Sequence, residues 1–250
     1  MPHATFAPPW LTARPIAHRG LHDWRKGVVE NTLGAFTAAI NGNYAIECDL
    51  QVTRDGEAVL FHDNTLDRVT LASGEVSNYS VAELKRVKFR HGPESIPTLN
   101  EMLDLVAGKV PLVIELKPQW DGDNTLVRRT LAALESYTGQ HALMSFDPGV
   151  VEALKMQSPG TIRGFISDRG FDPFYDRLSP ALQRDIRTLA CLVRVEPHFL
   201  SMRADELPWA PVAELRSLGM PVIAWTVRSP QQSAFALRYC DQVTFENYLA

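Results

Sequence analysis

The sequence has no CxxC pair: its three cysteines, Cys48, Cys191 and Cys240, are scattered along the chain. An odd, dispersed set excludes a disulfide framework and a zinc knuckle, and it fits a reducing compartment. No apolar run approaches the roughly 20 residues of a membrane span. Met1 to Arg14 has prolines and no apolar h-region, so no signal peptide is expected and the protein is expected to be soluble and cytoplasmic. An excess of basic charge is also missing. With 25 Lys and Arg against 29 Asp and Glu, the net charge of -4 speaks against a broad nucleic-acid-binding face. No shorter repeat or low-complexity tract appears.

What is present is one stretch that organises the rest, Ile46 to Asp63. It reads as a strand, a tight Arg54-Asp55-Gly56 turn and a second short apolar strand ending in His62. Alternation along the first strand puts Glu47 and Asp49 on one face and Ile46, Cys48 and Leu50 on the other. Two carboxylates on one face of an apolar strand are costly to bury uncompensated. A hard divalent cation is one compensation; a surface strand with its polar face in water is the alternative that this stretch alone leaves open.

Around it, short apolar segments alternate with amphipathic ones. Arg14 to Ala17 is a short strand running into His18-Arg19-Gly20. Asn31 or Thr32 can cap a helix through Leu33, Phe36, Ala39 and Ile40, ended by Asn41-Gly42-Asn43. Residues 64–97 carry a capping box at Ser80 to Glu83 but too few apolar residues for a core of their own, so they read as a small insertion. A helix over Thr98 to Val106 precedes the strand Val110 to Lys117. Strands are then expected at Ala142–Ser145, Thr161–Ile166, Ala190–Val195, Pro221–Thr226 and Asp241–Phe245. Helices are expected near Leu126–Tyr137, Val150–Gln157, Val212–Ser217 and Gln231–Leu237, with mixed structure over Phe174–Thr188.

Strands alternating with helices mean a parallel sheet with helical crossovers. About eight strands in 250 residues, with no Gly-rich dinucleotide loop after the first, favour a (β/α)8 TIM barrel over an open Rossmann sheet. The expectation is one α/β domain over residues 1–250, with its small insertion after the second strand at about 64–97.

Active sites of such barrels form at the carboxyl ends of the strands. His18 and Arg19, Glu47 and Asp49, His62, and Glu115 and Lys117 all fall there. Taken singly, each has an ordinary reading: a loop histidine, or a rim ion pair. Taken together, Glu47, Asp49 and Glu115 suit a hard cation. His18 and His62 suit a general acid and base, and Arg19 and Lys117 offer charge to an anion such as a phosphoryl group. The combination points to metal-assisted phosphoryl transfer. Asp121-Gly122-Asp123-Asn124 lacks calcium-loop spacing and reads as a solvated loop.

His18-Arg19-Gly20, Glu30-Asn31-Thr32, Glu47-x-Asp49, His62-Asp63 and Glu115-x-Lys117 resemble, in order and spacing, the signatures of the glycerophosphodiester phosphodiesterase family. The likeness continues in Ser145-Phe146-Asp147 and from Gly219 through Ala224-Trp225-Thr226-Val227. It implies a TIM barrel that hydrolyses glycerophosphodiesters to sn-glycerol 3-phosphate and an alcohol, using one divalent cation, Mg²⁺ or Ca²⁺. It implies His18 and His62 as the acid–base pair and Glu47, Asp49 and Glu115 as metal ligands. Arg19 and Lys117 would hold the phosphate, and Trp225 would wall the site. The family's last strand usually ends in Thr-Asp, where this chain has Phe245-Glu246.

The expected partner is a small-molecule diester, without nucleic acid or stable membrane insertion; a homodimer stays open. The rival within the superfamily is a lysophospholipase D-type or other lipid phosphodiesterase. It would want an exposed apolar lip, which Trp10, Trp24, Trp120, Phe171, Phe174 and Phe199 could supply from loops or could instead use to pack those loops. A non-catalytic phosphate-ester sensor would lack one member of the histidine or carboxylate set, and none is missing. A metal-dependent aldolase or enolising lyase fits the two histidines less well.

Overall fold

Each of the expected strand segments except one finds a counterpart in the computed structural model, which describes residues 6–250. The first five residues, part of the Met1–Arg14 stretch read as lacking a signal peptide, lie outside the described residues. The fold is a closed eight-stranded parallel barrel with helices between strands, to which one antiparallel strand is added. The chain divides into two compact units, residues 16–117 with 123–141 and residues 1–15 with 118–122 and 142–250. Among the described residues no helix is long and apolar enough to cross a membrane.

The first unit opens with β1 (Ile16–Ala17) and α1 (Leu33–Asn41). Of the two candidate caps it is Thr32 that caps α1: its hydroxyl accepts from the Ala35 N–H, and the helix ends at Gly42. Gly20 follows β1 at φ +77°, and a Cβ there would lie 2.8 Å from Ala35. Only glycine lets the loop after β1 run so close to α1. Next come β2 (Ala45–Val52) and β3 (Ala58–Leu60), an antiparallel pair with Leu50 opposite Leu60. Gly56 at φ +77° closes the turn between them, and Thr53 donates its hydroxyl to Asp55.

Then follow α2 (Val81–Leu84), α3 (Leu99–Val106), β4 (Leu112–Leu116) and α4 (Thr125–Leu134). Ser80 with Glu83 and Thr98 with Glu101 form complete capping boxes. β2 pairs in parallel with β1 on one side and β4 on the other. The alternation of β2 is real: Cys48 Sγ lies 3.6 Å from Met102 Sδ on α3, opposite to the side taken by Glu47 and Asp49. Residues 64–97 do not stand alone. Their Leu66, Val76, Leu84, Phe89 and Ile96 form one apolar cluster with Val29, Val59 and Phe61.

The second unit carries β5 (His141–Ser145, its first residue at the boundary), α5 (Pro148–Gln157), β6 (Arg163–Ser167), α6 (Pro180–Thr188) and α7 (Leu192–Val195). It ends with β7 (Phe199–Arg203), α8 (Ala210–Ser217), β8 (Val222–Val227), α9 (Pro230–Ala236) and β9 (Gln242–Phe245). From β5 to β9 each strand pairs in parallel with the next.

One expected strand is corrected. Ala190–Val195 forms no strand; its last four residues are the one-turn helix α7, with Val193 85% exposed. The strand is β7, four residues further on, whose Phe199 had read as a loop aromatic. Phe199 is fully buried opposite Gly164 of β6, where a Cβ would lie 2.3 Å from its ring. A bare strand position on one side admits a whole ring from the other.

Candidate active site

All the sequence-predicted residues except Trp225 lie in the first unit, and β2 and β4 bring the carboxylates together. The parallel register sets Asp49 beside Glu115, with Glu47 two residues earlier on the same face of β2. Glu47, Asp49 and Glu115 are 2%, 1% and 6% exposed. The reading of β2 as a strand with its polar face in water is thereby overturned. One oxygen from each of the three carboxylates falls in a group whose members all lie within 4.8 Å of one another.

Charge balance comes from two cations. Lys117 Nζ lies 2.9 Å from Asp49 Oδ1 and 2.9 Å from Glu115 Oε1. Arg19 Nε lies 3.5 Å from Asp49 Oδ2, and the Arg19 backbone N–H donates to Glu47 Oε2 at 2.9 Å. Burial would raise the Asp49 carboxyl, but Lys117, then His62, Arg19 and His18, draw it well below the usual carboxylate range. Glu47 goes the other way: burial, then the charges of Asp49 and Glu115, push it well up. Burial raises Glu115 as well, against the pull of Lys117. Three acids at one spot thus prefer to share a proton or a further cation.

Asp49 Oδ1 and Glu115 Oε1 are buried, and the Lys117 ammonium is their shared neighbour at 2.9 Å. Buried carboxylate oxygens with lone pairs to spare are the donor set a hard cation takes, so Glu47, Asp49 and Glu115 could hold one.

The histidines flank Glu47 and Asp49 in the chain. His18, 8% exposed, places Nε2 4.0 Å from Glu47 Oε2. His62 follows β3 in a loop pinned by Gln51, whose side-chain amide donates to the carbonyls of His62 and Asp63 at 3.3 and 3.1 Å. Asp63 Oδ1 lies 2.6 Å from His62 Nδ1. A carboxylate can only accept, so Nδ1 carries the hydrogen and Nε2 is left as the working nitrogen.

Four further residues support the set. Asn31, at φ +56° and buried, donates Nδ2 to Asp49 Oδ2 at 2.8 Å and accepts the Asp49 N–H at 3.1 Å. Glu30 accepts from Arg19 at 2.6 Å. Asp63 holds His62, and Arg68 bonds both Glu30 and Asp63. Glu30, Asn31 and Asp63 stood inside the quoted motifs without a role, whereas nothing in the sequence pointed to Arg68.

Trp225 lies in the other unit, near the end of β8, where the register with β9 shifts between Ala224 and Val227. Its Nε1 donates to the Ser201 carbonyl at 3.1 Å, and its ring meets Phe146 edge-on with centroids 5.4 Å apart. In the same unit Glu246, the residue that departs from the family pattern, accepts from Arg228 Nε at 2.7 Å. Among the aromatics expected in loops, Trp24, Phe171 and Phe174 are exposed.

Comparisons with known proteins point to one family. The model of the glycerophosphoryl diester phosphodiesterase family matches residues 18–243. YhdW of Bacillus subtilis is 28% identical over 88% of this chain and 88% of its own. A glycerophosphodiester phosphodiesterase of Caldanaerobacter subterraneus is 43% identical over 41% of this chain and 44% of its own. An Oleispira antarctica phosphodiesterase, solved with the product sn-glycerol-3-phosphate, shares the fold with a TM-score of 0.78 at 22% identity, covering 94% of this chain and 92% of that one. A Thermotoga maritima glycerophosphodiester phosphodiesterase does so with a TM-score of 0.70 at 22% identity over 92% of each chain. A family match running from His18 to Val243, through every motif that builds the carboxylate and histidine set, places this chain in the glycerophosphodiester phosphodiesterase family of enzymes.

Proposed function

We propose that the enzyme hydrolyses glycerophosphodiesters to sn-glycerol 3-phosphate and an alcohol with one divalent cation, Mg²⁺ or Ca²⁺, and a pair of histidines. The observation that carries this is the buried group of Glu47, Asp49 and Glu115, with oxygens inside 4.8 Å and Arg19 and Lys117 beside them. Those three carboxylates would hold the ion, which when bound supplies positive charge to the phosphodiester oxygens.

The chain's own residues do the rest. Arg19 and Lys117 bind the phosphate and, with Trp225 as a wall, orient the diester. One histidine takes the proton of the glycerol hydroxyl beside the phosphate. That oxygen bonds to phosphorus while the bond to the leaving oxygen breaks, and the other histidine protonates the departing alkoxide. Water then opens the cyclic phosphate with the histidine roles reversed. His62, oriented through Nδ1 by Asp63, presents Nε2 for this traffic. Because the family match runs through both units, the whole chain is taken to work as one catalytic domain, with residues 64–97 as its insertion. Three buried free cysteines support a cytoplasmic setting.

The test is release of sn-glycerol 3-phosphate from glycerophosphocholine and glycerophosphoethanolamine, with EDTA and then with added Mg²⁺ or Ca²⁺. Activity that EDTA abolishes and a cation restores is expected. Each acid–base step contributes roughly 10²–10⁴-fold, so His18→Ala and His62→Ala should each lose at least that order in kcat. Near-wild-type turnover in either variant would refute the pair. Silence here with turnover of lysophospholipids would move the enzyme to the lipid-cleaving class.

A further inference from the structure

Arg68 lies outside every strand and helix, in the insertion, yet its guanidinium grips two carboxylates at once. Nε donates to Asp63 Oδ2 at 2.6 Å and Nη2 to Asp63 Oδ1 at 3.1 Å. Nη1 donates to Glu30 Oε2 at 2.9 Å and Nη2 to Glu30 Oε1 at 2.6 Å. Asp63 is the partner of His62 Nδ1, and Glu30 is the partner of Arg19 Nη1. An unbroken line of charged contacts therefore runs His62–Asp63–Arg68–Glu30–Arg19.

We propose that Arg68 is a positioning residue, which fixes the proton-transfer histidine and the phosphate-binding arginine relative to each other through Asp63 and Glu30. This rests on the roles given above to His62 and Arg19.

The ordinary reading, a surface ion pair, does not account for the geometry. The Arg68 side chain is 47% exposed, and exposed pairs add little to stability. A single exposed pair also has no reason to be forked twice. A planar guanidinium can present two parallel N–H bonds to each of two carboxylates; an ammonium cannot. The two acids it joins are themselves more enclosed, at 14% and 23% side-chain exposure, and each has its other partner in the active site. Glu30, in the loop before α1, and Arg68, in the loop after β3, are 38 residues apart in sequence, and this guanidinium joins the charged groups of the two loops. Reacting groups must hold their mutual distance through the reaction, and small misplacements cost far more in rate than in stability.

The experiment is steady-state kinetics of Arg68→Gln and Arg68→Lys on a glycerophosphodiester, beside Asp63→Asn, Glu30→Gln and their double variant. Arg68→Gln should lose about 10–100-fold in kcat/KM, divided between kcat through His62 and KM through Arg19. Arg68→Lys should stay nearer to Gln than to wild type, because charge without the fork does not restore the bridge. It also reports in place of Arg68→Gln should that variant fail to fold.

Asp63→Asn and Glu30→Gln should be coupled by about threefold or more with Arg68 present and additive in the Arg68→Gln background. A merely structural arginine would lower the thermal midpoint without producing that coupling. Kinetics of Arg68→Gln within twofold of wild type, or additive effects with Arg68 in place, overturn the inference. His62→Ala separates the two levels. If it is inactive while Arg68→Gln is normal, only the role of Arg68 falls. If it retains full turnover, the acid–base reading falls and takes this role with it.

Discussion

Replacing Asn31 by alanine should destabilise the enzyme by about 4 kcal/mol, although Asn31 bears no charge and lies outside every helix and strand. Its amide bonds Asp49 at both ends, to the carboxylate at 2.8 Å and from the backbone N–H at 3.1 Å. A hydrogen bond to a charged group nets about 1.5–3 kcal/mol, and a buried N–H left without a partner loses about 1–3 kcal/mol more. The backbone adds to this. Asn31 sits at φ +56°, which asparagine tolerates and alanine adopts at about 1–2 kcal/mol, and the low ends of the three contributions, which overlap, together give about 4 kcal/mol. Asn31→Gly removes the two hydrogen bonds but accepts the dihedral, so it should recover about 1 kcal/mol of the alanine loss. The assay is thermal unfolding in EDTA, where about 4 kcal/mol corresponds to a fall of roughly 8–16 °C for a chain of this size. An alanine variant within about 1 kcal/mol of wild type would show that water or a neighbour replaces Asn31 and that Asp49 is not held by it. Equal losses in alanine and glycine would refute the dihedral part alone.

Added Mg²⁺ or Ca²⁺ should raise the thermal midpoint, by the equivalent of about 2.7 kcal/mol at a hundred times its dissociation constant, and Glu47→Gln should abolish the rise. No cation effect on unfolding would sink the assignment of the three carboxylates. Glu30, which burial would raise, is drawn from 4.5 to about 2 by Arg68 and Arg19, and Asp63 is lowered as well. A lowered acid stabilises above its unfolded pKa and loses that contribution as pH falls through the folded value. Wild-type midpoints should therefore drop more steeply than those of Arg68→Gln between pH 4.5 and about 2; parallel curves would show that the bridge adds no stability. Phe199→Ala should lose about 3–5 kcal/mol, as a buried ring in a core does. Val193→Ala, on the exposed face of α7, should stay within about 0.5 kcal/mol. The reverse order would restore the expected strand at Ala190–Val195.

Local chemistry was readable wherever it was local in sequence. Ser80 announces its helix, and Asn31-Thr32 narrows another to two candidates, because a cap and its amide lie within three residues. The β2–β3 hairpin announces itself through Gly56. The carboxylates announced themselves by being wrong for their surroundings, acids at alternate positions of apolar strands. Ala190–Val195 misled because a short apolar run reads alike as a strand or as a turn of helix, and here the turn even leaves Val193 exposed. β7 was hidden because Ser201 and Arg203 break its pattern, and because the space for Phe199 is made by Gly164, thirty-five residues away. Arg68 could not be found for a related reason. Its meaning comes from Glu30 and Asp63 together, and only the folded loop brings them to one guanidinium.

The charged site leaves the ribosome ahead of most of the second unit. His18, Arg19, Glu47, Asp49, His62, Glu115 and Lys117 all precede residue 118. At roughly 5–20 residues per second, β5 to β9 need on the order of 5–20 s more to be made. During that interval the three carboxylates and their lysine and arginine partners are already synthesised. If the three carboxylates take their proposed cation in that interval, chelator present during cell-free synthesis should lower the yield of active enzyme more than the same chelator, later reversed, added to finished protein.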